Sequence, residues 1–214
     1  MDSIDTFIAD LAGRPSSDMV NNMYYGNSPG VHIRRENLRL YLKTLDTATV
    51  LLVGEAPGHL GCAQTGIPFT SEWIMAEGGG RHNLFGNHGS YHLASPTPKP
   101  FKEATATIVW RTLNNCGSLP VMWNAFPWHP HQSKDPNSNR APTAAELEEG
   151  SNMLLKLIGL FQSLTTVVAV GRQAERAIHK HAKDRLAKFS IDHVRHPSHG
   201  GAKEFATGLH ELLA

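Results

Sequence analysis

The stretch Val50-Leu51-Leu52-Val53-Gly54-Glu55-Ala56-Pro57-Gly58 carries the first strand of the fold and the first candidate functional residue. Its opening residues form an apolar run with the length and β-branched content of a buried strand. Gly54, Pro57 and Gly58 then break the strand and leave one carboxylate, Glu55, at the break. Ligands of open α/β sheets sit beyond the carboxyl ends of the strands. Glu55 is therefore a candidate catalytic group. The competing reading is an ordinary strand-to-loop turn with an exposed glutamate.

Outward from this stretch, strands and helices alternate. Strands are expected at about 49–54, 121–126, 165–170 and 189–195, the first three as apolar or β-branched runs and the last ending at the turn residues from His196. Amphipathic spacing predicts a helix over 3–12, with Ile4, Phe7, Ile8 and Leu11 on one face. Further helices are expected over 31–45, 71–77, 101–115, 172–187 and 202–213. Thr143 and Glu146 make a capping-box pattern that opens another, running to about 161. On 31–45, Arg34, Arg35, Arg39 and Lys43 make a basic face, read as solvated, with a phosphate-facing role as the alternative. Segments 14–30 and 132–142 read as loop. So does 78–100, which holds His82, His88, His92 and three prolines; loops this long are usually functional or disordered. No repeat and no linker divides the chain, so a single domain over 1–214 is expected. The alternation argues for a parallel sheet covered by helices on both faces.

Composition narrows the chemistry. The 214 residues, 40% hydrophobic, suffice for one full core. A net charge of +1 means that any nucleic-acid contact must come from local placement of Lys and Arg. The acidic N-terminus lacks a basic region followed by an apolar core, and no apolar run approaches a membrane span. Two cysteines, Cys62 and Cys116, without a CxxC, argue against disulfides, structural zinc or a cysteine-bound iron–sulfur cluster. No cofactor is expected, and a reducing cytosol is the natural compartment. Cys62 reads as an inert, buried thiol, and Trp123 and Trp128 read as packing residues.

Three strand ends carry unusual chemistry: Glu55 after the first, Asn124 in or near the end of the second, and His196 with Ser198 after the fourth. In a parallel sheet these ends share one edge. An amide reads a planar heterocycle through one donor and one acceptor. An imidazole stabilises a developing oxyanion, and a carboxylate holds a water or a cationic centre. The set suits hydrolysis at a base-like ligand.

These residues resemble the uracil-DNA glycosylase superfamily. Gly54-Glu55-Ala56-Pro57-Gly58 is similar to its first motif in the branches that carry GEAPG, and His196-Pro197-Ser198 to its second. Gly66-Ile67-Pro68-Phe69 resembles the segment whose ring stacks on the flipped base, and Asn124 the residue that reads uracil. The four segments follow family order across 50–201. The resemblance implies a three-layer α/β/α fold around a four-stranded parallel sheet and release of uracil from DNA by cleavage of the N-glycosidic bond, on a nucleotide drawn out of the stack. It casts Glu55 and His196 as catalytic: Glu55 aligns water or stabilises the cationic sugar, and His196 bonds the uracil oxygen that gains charge. Ala56, Phe69 and Asn124 would hold uracil. Gly58, Ser198, His199, Gly200 and Gly201 would contact the DNA, the later ones through backbone amides ahead of a helix. DNA is the implied partner, with no membrane, no metal and no obligatory protein.

The chain departs from the family in four respects. It lacks the cluster cysteines of many GEAPG relatives. His59-Leu60-Gly61 stands where those relatives tend to place acidic residues, and Gly58 where the best-known branch has a thymine-blocking tyrosine. After the second motif only His199 offers any bulk as a wedge into the duplex. Other readings stay open: Phe69 as a core aromatic, Asn124 as a strand cap, a metal-dependent hydrolase using His129, His131, His196 and His199, or a non-catalytic nucleic-acid module.

Overall fold

The structure, a computed structural model, describes residues 3–85, 90–95 and 99–213. Two of its six strands are short: β1 (Val20–Asn21) pairs antiparallel with β4 (His129–Pro130). The others, β2 (Val50–Gly54), β3 (Val121–Asn124), β5 (Thr166–Val170) and β6 (Ser190–Val194), form a parallel sheet in the order β3-β2-β5-β6. Every residue of β2 and β3 is buried, as strands covered on both faces require. The edge strand β6 is largely uncovered, and its sequence Ser-Ile-Asp-His-Val is correspondingly mixed.

Register aligns the strand ends. Gly54 lies opposite Asn124, Val53 opposite Ala169, and Val170 opposite Val194. Hydrogen bonding continues past the strands, with Ala125 N donating to Gly54 O at 2.8 Å, Phe126 N to Glu55 O at 3.0 Å and Gly171 N to Val194 O at 2.8 Å. The loops after all four strands therefore leave the sheet along one rim.

Flanking the sheet are α1 (Ser3–Ala12), α2 (Pro29–Thr44), the short α3 (Cys62–Thr65) and α4 (Glu72–Ala76), α5 (Ala104–Leu113), α6 (Ala144–Ile158), α7 (Arg172–His181) and α8 (Ala202–Leu212). Helix α2 begins two residues earlier than its apolar spacing suggests, because Ser28 caps it and Pro29 takes the first turn. Helix α6 opens on the expected capping box of Thr143 and Glu146. Helix α7 stops at His181, short of the expected 187, and a 3-10 turn over Lys183–Leu186 replaces its end. Strand β1 falls inside a segment read as loop, and β4 between the strand expected over 121–126 and the loop over 132–142, since two-residue strands leave no periodicity to read. In 78–100 a 3-10 turn covers Gly80–His82, while His88, Pro96 and Pro98 lie outside the described residues.

The basic face of α2 is partly solvated, with Lys43 exposed, and partly engaged by the protein itself. Arg34 Nε donates to Gln64 O at 2.9 Å, Arg35 Nε to Tyr24 O at 2.7 Å, and Arg39 pairs with Glu36. The first two guanidinium groups tie loops to the helix by supplying donors to carbonyls that lack strand partners. Trp123 and Trp128 are buried in the core, as is Cys62. Burial pushes the Cys62 thiol up to about 12, so it carries no thiolate at neutral pH.

Candidate active site

The rim of the sheet encloses a cavity of about 600 Å³. Glu55, Ala56, Gly58, Phe69, Asn124, His196, Ser198 and His199 all line it. Gly200 and Gly201 do not. Five positions that sequence patterns had not singled out also line it: Glu103, Thr105, Asn139, Arg172 and Gln173. Glu103 was legible only as a helix start. It caps α5, accepting from Thr105 N at 2.8 Å and Ala106 N at 2.6 Å.

Glycine 54 sets the geometry of the floor. A Cβ there would lie 2.6 Å from Phe69 Cζ and 2.8 Å from Asn124 Oδ1. The ring and the amide thus converge over one backbone position, which must lack a side chain. Phe69 is held in the left-handed region at φ 53°. Trp110 Nε1 donates to Phe69 O at 3.1 Å and to Thr70 Oγ1 at 3.2 Å, and Thr65 Oγ1 donates to Thr70 O at 2.9 Å. A bulky residue at positive φ persists only where its surroundings over-determine it. The ring is therefore a fixed platform, partly exposed to the cavity rather than sunk in the core. Asn124 is almost wholly buried, at 4% exposure, yet no protein group hydrogen-bonds its side-chain amide among the described residues. A buried amide facing a cavity without a partner is poised for a planar ligand with one donor and one acceptor.

Glu55 is half-buried, and desolvation holds its carboxyl above the ordinary glutamate range. Its loop is anchored by buried His129, whose Nδ1 lies 2.8 Å from Pro57 O and whose Nε2 lies 3.3 Å from Pro136 O. Asn139 Oδ1 accepts from His59 N at 2.9 Å, joining the same two loops again.

His196 is brought against the β5–α7 turn by Gly171, at φ 83°, where a Cβ would lie 2.8 Å from His196 Cβ. Ser198 N donates to His196 Nδ1 at 3.2 Å, with Ser198 Oγ 2.7 Å from the same atom. A ring nitrogen that accepts from a backbone amide carries no proton, so the neutral ring bears its N–H on Nε2. Burial first, then the nearby His199 and Arg195, push His196 below the usual histidine range, against an opposing pull from Glu103. At neutral pH it is a neutral hydrogen-bond donor, suited to an oxygen that gains negative charge. Gly201 N donates to Ser198 O at 3.1 Å. The amides of Ser198 and Gly201 are thus committed within the loop, unlike the expected open cradle for phosphate. His199 and Gly200 remain exposed at its tip.

The model of the Uracil DNA glycosylase superfamily matches residues 43–208. The chain belongs to that superfamily. The match spans all four strands of the parallel sheet and both motif loops. Among solved structures, the fold is similar to the crystal structure of Pedobacter heparinus SMUG2, with a TM-score of 0.70 and 14% identity over 98% of this chain and 96% of that chain. At that identity the likeness concerns the fold. No curated protein matches. In this member of the superfamily, no three His, Cys, Asp or Glu side chains among the described residues gather as metal ligands. Both ring nitrogens of His129 face backbone carbonyls, and His131 Nδ1 lies 2.9 Å from Gln132 O.

Proposed function

We propose that this protein is a DNA glycosylase that hydrolyses the N-glycosidic bond of uracil, acting on single strands at least as well as on duplex. The observation that carries this reading is the pairing of Phe69 and Asn124 over Gly54, a stacking platform beside an unpartnered buried amide. A base flipped onto Phe69 presents its edge to Asn124, which meets the N3–H and O4 of uracil with its carbonyl and NH2. As the base leaves, the neutral His196 donates from Nε2 to the uracil oxygen that gains charge. Glu55, when ionised, aligns the attacking water or stabilises the cationic sugar. Its carboxylate is what a binding module would not need, and desolvation makes its charge unfavourable in the free protein.

The test is a labelled single-stranded oligonucleotide carrying one uracil, incubated with the protein in EDTA and then treated with alkali. Strand cleavage at the uracil position, absent with Glu55→Gln, is expected. Intact strands with tight binding would leave the non-catalytic module. Activity lost in EDTA, with stoichiometric zinc in the purified protein, would point to metal-dependent hydrolysis.

A further inference from the structure

A second cavity of about 740 Å³ opens from the first along the β6 edge, the two sharing Gly171, Arg172, Gln173, His196, Ser198 and His199. Beyond the shared wall it is lined by Arg176, His193, Val194 and Arg195. Arg172 and Arg176 stand four residues apart on α7 and so share a helix face. Arg195 follows β6 directly and lies along the next loop: a Cβ at Gly201 would meet its Cγ at 2.8 Å and its Nε at 3.0 Å. All three arginines and His193 are exposed. Among the described residues none of the three is ion-paired. Arg176 donates only to the neutral Gln173 Oε1, at 3.2 Å. The nearest carboxylates in sequence, Glu175 and Asp192, do not line the groove. Three unpaired guanidinium groups around a groove, with the uncapped N-terminus of the ten-residue α7 at its head, make a concentrated anion site.

The charge is one-sided. Of the residues lining the first cavity, Arg172 is the one lysine or arginine, and it belongs to the shared wall. The remaining wall carries Glu55, Glu103, Gly58, Gly61 and Asn139, with two carboxylates and no cation. Phosphate is therefore drawn to the groove, whose described lining holds no carboxylate, rather than to the rest of the pocket wall.

Resting on the glycosylase reading, we propose that this groove is the track for the phosphodiester backbone on one side of the excised nucleotide only. Arg172, Arg176 and Arg195 hold successive phosphates there, while the opposite flank of the strand stays free. The enzyme then recognises a one-sided stretch of single strand and tolerates a uracil with little or no chain beyond it on the other side.

Single-stranded uracil oligonucleotides carrying neutral methylphosphonates at three linkages, either 5′ or 3′ of the uracil, test this. Fluorescence anisotropy gives Kd, and alkali cleavage gives kcat/KM. Neutralising one side is expected to weaken both by about tenfold or more, at salt where each lost phosphate contact matters. Neutralising the other side is expected to change them less than about twofold. Arg176→Ala with Arg195→Ala should reduce the asymmetry to what Arg172 alone sustains and lower the slope of log K against log salt by about 1.4, at about 0.7 per single-strand phosphate contact. Arg111→Ala, an exposed arginine outside both cavities, should preserve the asymmetry. Equal losses on both sides, or an asymmetry undiminished in the double variant with its fold intact, would overturn the proposal. If wild-type protein releases no uracil from unmodified strands, the glycosylase reading fails on its own. The anisotropy data then decide the groove alone, and equal Kd values for all strands would overturn it.

Discussion

Glu55 and His196 depart from ordinary titration in opposite directions, both because burial disfavours charge. For Glu55 the folded protein holds the proton more tightly than the unfolded chain does. Its contribution to stability is therefore present below the unfolded carboxyl range and is lost as pH rises through the raised folded value. Glu55→Gln removes that unfavourable charge. It should lose roughly two to three orders of magnitude in uracil release while melting higher than wild type at pH 7, with the difference closing in acid. A melting curve and a single-turnover assay on one preparation check both halves, and equal melting at every pH would mean the carboxylate is not desolvated. His196→Ala should lose a similar factor in rate. In wild type, activity should fall on the acid side as Glu55 gains its proton, and His196, held below the usual range, should not shut the enzyme off near pH 7. Asn124 invites the sharpest substitution. Uracil offers N3–H beside O4, whereas cytosine offers N3 beside an amino group. Asp at 124 has acceptors only, so it opposes O4 and accepts from the cytosine amino group. An unpaired buried polar group costs about 1–3 kcal/mol. Asn124→Asp should thus lose most uracil release and shift the ratio of abasic sites on matched U and C strands toward cytosine. Discrimination against cytosine requires the amide orientation to be held, and among the described residues no hydrogen bond to the side chain of Asn124 holds it. An unchanged ratio in the folded variant would move the base pocket elsewhere.

The loops around the pocket are the elements that sequence reading handled least well. The first strand end was legible because the apolar run before Gly54-Glu55 announces both its length and its exit, whereas the mixed strand before His196-Pro197 was marked chiefly by its turn residues. The segment 132–142 announced nothing but polarity. Its order comes from distant partners: Arg140 donates to His131 O at 3.1 Å and Met19 O at 3.0 Å, and pairs with Glu146 at 2.6 Å, the same carboxylate that completes the α6 capping box. Long-range ties of this kind have no local signature. The sequence raised His129 as a metal ligand, and the structure uses it as a brace. Its Nδ1 supports the carbonyl of Pro57, two residues beyond Glu55. Replacing it by Phe leaves that carbonyl unpaired and frees the loop. A shift of about 1 Å in a catalytic group costs up to roughly 10²-fold. His129→Phe should therefore lower kcat by about 10- to 100-fold with DNA affinity nearly unchanged. His129→Asn keeps a donor near the Nδ1 position and should recover most of the rate. Equal activity in the Phe and Asn variants would reduce His129 to a packing residue.

At the scale of the molecule, residues about 140 positions apart become neighbours because one register carries four strand ends to one rim. Alternating strands and helices put Glu55, Asn124, His196 and Ser198 on one edge before any geometry, while Phe69 was legible only through the resemblance of its segment to the family's. The side charge was not: Arg172, Arg176 and Arg195 sit among ordinary surface cations in the sequence, and only the packing of α7 beside β6 gathers them. The same whole-molecule view bears on substrate form. Extracting a nucleotide from duplex costs about a few kcal/mol in pairing and stacking, which apolar wedges help to offset. The large apolar side chains exposed among the described residues are Met19, Tyr25 and Leu60. Of these, Leu60 is the one that lies in a turn between two residues lining the cavity, Gly58 and Gly61. That turn is rigid: Gly61 N donates to Gly58 O at 3.2 Å, Ala63 N to the same oxygen at 3.3 Å, and Gln64 Nε2 to His59 O at 3.0 Å. One leucine offsets a small part of the duplex penalty, so single-stranded uracil should be processed at least as fast as paired uracil at equal salt. If Leu60 fills the gap, Leu60→Ala should lower kcat/KM several-fold on duplex and leave the single-strand value within about twofold, since an unpaired strand has no stack to hold open. The measurement is abasic-site formation on one sequence, free and annealed, by wild type and variant. A wild-type preference for the annealed form, or an equal loss on both forms in the variant, would mean that the duplex is opened by contacts other than this turn.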